Sequence, residues 1–78
     1  MMSVTLHKSI PYHLLEEIAS QCSRFESEVL IVKDDYIVNG RNLMGLVTLS
    51  LHPEDQLKLS IEGSDAEIIE HILMRLLN

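Results

Sequence analysis

Between Leu57 and Glu62 every second side chain is apolar: Leu57, Leu59 and Ile61 alternate with Lys58, Ser60 and Glu62. Successive side chains of a strand point to opposite faces. This segment therefore fits a sheet with one buried and one wet face, the habit of antiparallel sheets. A second periodicity shows what does the burying. Leu14, Leu15, Ile18, Ala19 and Cys22 share one side of a helix, with Glu16, Glu17, Ser20 and Gln21 opposite, and Ile68, Ile69, Ile72, Leu73 and Leu76 form a comparable face near the C-terminus. A sheet and helices that are each apolar on one side bury those sides by packing together.

The rest of the chain fills in around these segments. Met2 to Leu6 alternates and reads as a first strand, and the first helix starts near Ser9 to Pro11, with Ser9 a capping type and proline tolerated in a first turn. Glu28 to Lys33 and Tyr36 to Asn39 read as paired strands around a two-residue Asp34-Asp35 turn, and Asn39-Gly40 breaks the pattern. Leu43 to Leu51 is apolar at Leu43, Met44, Leu46, Val47, Leu49 and Leu51, its first half reading as a short helix with two apolar faces. Pro53-Glu54-Asp55 is a turn, and Ser64-Asp65-Ala66-Glu67 predicts a capping box opening the last helix. The order is β-α-β-β-α-β-α: an α+β fold with a four-stranded antiparallel sheet and three helices on one face, expected to form one domain over residues 1–78.

Composition narrows the function classes. A chain of 78 residues buries only about 60% of the surface its unfolded form exposes, so it needs an efficient core or a covalent staple. Cys22 is the only cysteine, which excludes an internal disulfide and a cysteine-based zinc site and suits a reducing compartment. Phe25, Tyr12 and Tyr36 are the only aromatic residues, so the core is expected to be aliphatic. Met1-Met2-Ser3-Val4-Thr5 contains no basic stretch leading into an apolar run, and no apolar run approaches the roughly 20 residues of a membrane span, so a cytoplasmic location is expected. A net charge of −6 opposes binding to nucleic acid or to an anionic membrane.

The segment Arg41-Asn42-Leu43-Met44-Gly45-Leu46-Val47-Thr48-Leu49 resembles the second-helix segment of HPr, the histidine-containing phosphocarrier of the sugar phosphotransferase system, typically Lys-Ser-Ile-Met-Gly-Val-Met-Ser-Leu. Phe25 to Val29, the hairpin, the strand through Ile61 and Gly63-Ser64-Asp65 fall in the same register, which reaches back to Val4-Thr5 without a gap. The resemblance implies an HPr-like open-faced β-sandwich. It also implies that the family's phosphorylation motif, a hydrophobic residue followed by His-Thr/Ala-Arg-Pro, falls on Ile10-Pro11-Tyr12-His13-Leu14. Pro11 then stands for the phosphorylatable histidine, His13 for the arginine and Leu14 for the proline. In the family the imidazole carries phosphate at a helix N-terminus, where backbone N–H groups and an arginine stabilise the anion. Pro11 has neither nucleophile nor N–H. The family's regulatory serine falls on Asn42, which has no hydroxyl, though asparagine can cap the short helix. Both phosphorylation sites are expected to be lost.

No other constellation carries chemistry. His13, one or two residues inside a helix, is a solvated histidine or, in a rival reading, a substitute phosphoryl acceptor; Glu16 and Glu17 beside it would repel the phosphoryl group. His7, His13, His52 and His71 lack ligand spacing apart from a His13/Glu17 pair, so no metal and no cofactor are expected. Asp34-Asp35 suits a turn better than a calcium loop. Cys22, with only Arg24 near it in sequence, reads as an inert packing residue. Leu43, Met44 and Val47 are either core or, as the resemblance implies, an exposed apolar docking surface for partner proteins, with Arg41 and His13 at its rim. The expected function is that of a phosphorylation-deficient, non-enzymatic HPr-like protein that binds proteins of sugar transport or carbon regulation. A working phosphocarrier on His13, and a scaffold with no phosphotransferase role, are the alternatives.

Overall fold

The computed structural model describes residues 2–78; Met1, the first residue of the N-terminal stretch expected to carry no leader, lies outside the described residues. Strands β1 (Met2–Thr5), β2 (Glu28–Lys33), β3 (Tyr36–Asn39) and β4 (Gln56–Glu62) form one sheet, and helices α1 (Tyr12–Arg24), α2 (Leu43–Thr48) and α3 (Ala66–Leu77) complete the order read from the sequence. The sheet runs β1-β4-β2-β3 with every neighbour antiparallel. The alternating strand β4 therefore sits inside the sheet. Leu59 lies opposite Met2 on one side and Ile31 on the other, and Leu57 lies opposite Val4. Residues opposite one another share a face. Val4, Leu57, Leu59, Val29 and Ile31 consequently meet on the covered side, where all are buried, while Ser3, Thr5 and Lys58 point to solvent.

The core is aliphatic, as expected. Leu6, Ile18, Ile31, Leu46, Leu57, Leu59, Ile69, Leu73 and Leu77 are almost completely withdrawn from water. Burying one such side chain contributes about 1.5–3 kcal/mol, so an unstapled chain of this size depends on all of them. In α1 the buried face is Leu15, Ile18, Ala19 and Cys22, with Leu14 only half-buried at its margin. The face of α3 is Ile69, Leu73 and Leu77, which leaves Ile68 57% exposed and corrects its placement in the core.

Two helix starts differ from the sequence reading. Pro11, in extended conformation, is the N-cap of α1 rather than Ser9, and no side chain caps that end. The capping box at α3 does not form either. Asp65 is the N-cap, but its carboxylate turns away to accept the backbone N–H groups of Glu26 and Ser27, each at 2.9 Å, and the Ser27 hydroxyl. A long-range partner outbids the local one because Ser27 is buried at the entry to β2 and its donors have no water. Gly63 makes room for this: its φ is +148°, and a Cβ there would lie 2.6 Å from the Ser27 Cα. The Asp34-Asp35 hairpin is present, with Lys33 opposite Tyr36 and Asp34 taking the positive φ of 54° that a two-residue turn requires.

Candidate functional site

The second-helix segment is built from both ends. At its start the Asn42 side-chain oxygen accepts the Gly45 N–H at 3.1 Å, and the Asn42 carbonyl accepts the Leu46 N–H, so asparagine caps α2 as its chemistry allows. At its end the Lys33 ammonium donates to the carbonyls of Leu49 and Ser50, both at 2.8 Å, and pairs with the Asp55 carboxylate at 2.9 Å. Lys33 thereby satisfies carbonyls that a six-residue helix leaves without partners and ties them to β2. Lys33 donation and the His52 N–H hold the Asp55 carboxyl below the usual carboxylate range.

Between these ends α2 divides its apolar residues by direction. Leu46 is fully buried and Leu49 nearly so, Leu43 packs half-buried against the core, Val47 is 36% exposed and Met44 is 69% exposed. Met44 and Val47 lie three residues apart, on one helical face turned to water. They are not the only exposed apolar side chains. Tyr36 and Ile37 project from the edge strand β3, Ile68 from α3, and Tyr12 from the first turn of α1.

Helix α1 packs against α2. Its N-terminal end presents Pro11, Tyr12 and His13, all exposed, and the Pro11 carbonyl accepts the N–H groups of Leu14 and Leu15. Glu17, the possible partner of His13, instead accepts a hydrogen bond from Gln21 at 3.0 Å. Among the described residues no three of His, Cys, Asp or Glu come together as a metal site.

Arg41, expected at the rim of the docking surface, turns its guanidinium to the end of α1. Its Nε donates to the Cys22 carbonyl at 3.1 Å and its Nη2 to the Phe25 carbonyl at 2.6 Å, so the guanidinium caps the C-terminal end of α1. Burial pushes the Cys22 thiol up to about 11, with the Arg41 charge pulling the other way. The cation near Cys22 is therefore Arg41, distant in sequence, and not Arg24, which lies over the Phe25 ring at 5.8 Å. Arg41 and Lys33 give no local signal in the sequence, since their partners lie more than a dozen residues away.

The family model described as the PTS HPr component phosphorylation site matches residues 13–78. The phosphocarrier protein HPr of Neisseria meningitidis is 36% identical over 56 residues, covering 72% of this chain and 63% of that protein. The HPr-like protein Crh of Halalkalibacterium halodurans is 36% identical over 47 residues, covering 60% of this chain and 56% of Crh. The matched segments thus span less than two thirds of these curated relatives. The crystal structure of HPr from Bacillus anthracis superposes with a TM-score of 0.89, covering 99% of this chain and 94% of that one at 23% identity, which is likeness of fold. With the family model matching everything from the first turn of α1 onward, the chain belongs to the PTS HPr family.

Proposed function

We propose that residues 1–78 act as one cytoplasmic HPr-like domain that no longer carries phosphate and works by binding proteins of the sugar phosphotransferase system or of carbon regulation. It is a docking partner and not an enzyme. The observation that carries this reading is Pro11 at the start of α1. In register with the family motif, the position that should hold the phosphoryl-accepting imidazole holds a residue with no nucleophile. Asn42 supports the same reading, because its amide caps α2 and has no hydroxyl to accept phosphate. The interaction surface is the α2 face of Leu43, Met44 and Val47. A protein without a catalytic group gains nothing from a methionine 69% in water unless a partner covers it, and methionine suits surfaces that adapt to several partners. Nucleic acid and anionic membranes are disfavoured by the net charge of −6. The test is affinity capture with purified phosphotransferase and carbon-regulation proteins. Wild type retains at least one of them and Met44→Asp does not; equal retention by both proteins removes α2 as the surface.

A second reading keeps the phosphocarrier role on His13. It is favoured by one observation: His13 is exposed in the first turn of α1, where helix dipole and free N–H groups favour an anion. A phosphate that is acid-labile and absent from a His13→Ala protein would select it.

A further inference from the structure

We propose that Arg41 is a positioning residue, a latch that holds the start of α2 on the end of α1 and so sets the orientation of the Met44 and Val47 face. The chain between β3 and α2 is bonded at every residue. The Gly40 N–H donates to the Val29 carbonyl at 2.8 Å, the Arg41 N–H to the Asn39 side-chain oxygen at 2.9 Å, and the Asn42 N–H to the Asn39 carbonyl at 2.9 Å. These bonds shape the loop but reach only β2 and the end of β3. The two guanidinium bonds, to the carbonyls of Cys22 and Phe25, are the ones that cross to α1. They engage carbonyls at the C-terminal end of a helix, where the dipole also favours a cation. Asn42 follows Arg41 directly and caps α2. Two adjacent side chains therefore fix the end of one helix and the start of the next, and a shift at Arg41 passes to Met44 through the first turn of α2.

The same geometry places a reporter under the latch. Cys22 is 1% exposed, and a Cβ built on Gly40 would lie 2.7 Å from its sulfur, so the Gly40 backbone lies directly on the thiol. The latch is closed by the residue after Gly40. Local opening of the loop uncovers Cys22 without unfolding the sheet.

The consequence for binding rests on the docking reading, while the latch itself is read on the thiol. Wild type, Arg41→Ala and Arg41→Lys are labelled with an aromatic disulfide reagent at low denaturant, and each protein's global unfolding is measured separately. The expected result is Cys22 labelling about tenfold faster in Arg41→Ala, at a rate insensitive to denaturant below the unfolding transition, as local opening requires. Arg41→Lys keeps the charge but loses the planar two-donor fork, and is expected to label faster than wild type as well. Labelling unchanged in both variants, or accelerated only in step with global unfolding, overturns the latch. If labelling accelerates locally while partner capture is unaffected, the latch on α1 stands but its control of the docking face is overturned, and the face itself is still decided by Met44→Asp.

Discussion

At the scale of single residues, Asn42 has a structural task as the N-cap of α2. Its oxygen takes the Gly45 N–H that would otherwise lack a partner at the start of α2, and its amide offers nothing to a serine kinase. Asn42→Ala is expected to cost about 1 kcal/mol in denaturant unfolding, the usual value of such a cap. Intact mass after treatment with the family's serine kinase and ATP should show no added phosphate, and an adduct mapped to the Arg41 to Thr48 peptide would contradict this. Met44 makes the complementary prediction. At 69% exposure its change to aspartate should leave stability within about 0.5 kcal/mol of wild type, because substitutions at exposed positions rarely do more. A Met44→Asp protein that unfolds would place the side chain in the core. The Asn42 cap was legible in the sequence because donor and acceptor are three residues apart. The Arg41 bonds were not, because Cys22 and Phe25 come near only once the sheet has formed.

At the scale of elements, the chain orders its helices with carboxylates and cations drawn from other segments. Asp65, the N-cap of α3, spends its oxygens on Ser27 and Glu26, and this fastens the last helix to the entry of β2. The Ser27 hydroxyl first, and then the backbone N–H groups, hold the Asp65 carboxyl below its ordinary range. A carboxyl whose folded pKa is lowered contributes stability that is present above its unfolded value, about 3.9, and lost as pH falls through the folded value. Asp65→Asn should therefore lower the melting temperature at pH 7, and the gap from wild type should narrow below about pH 4. A gap independent of pH would mean that the carboxylate charge does not contribute. Strand and helix periods were enough to read the sheet, the hairpin and both long helices. The capping box at Ser64 to Glu67 failed because a local pattern cannot show that Asp65 faces a buried serine across the fold. Ile68 failed for a related reason: α3 needs only Ile69, Leu73 and Leu77 to cover its share of the sheet.

For the whole molecule, the sequence carried the fold further than the site. Alternation, helical faces and turn residues gave the β-α-β-β-α-β-α order, and the aliphatic core closed around it. Which of Leu43, Met44 and Val47 face water depends on how α2 seats between Asn42 and Lys33, and the seating is a property of the assembled domain. The result is an HPr-family scaffold whose α1 begins at a proline and whose α2 face is left partly apolar and open. The most direct measurement of whether this scaffold still carries phosphate is incubation with enzyme I and phosphoenolpyruvate, followed by intact-mass analysis at neutral pH. The expected result is an unchanged mass under conditions in which an active HPr gains one phosphoryl group. A mass increase that disappears in acid and in His13→Ala would contradict it and restore the protein to the phosphocarriers.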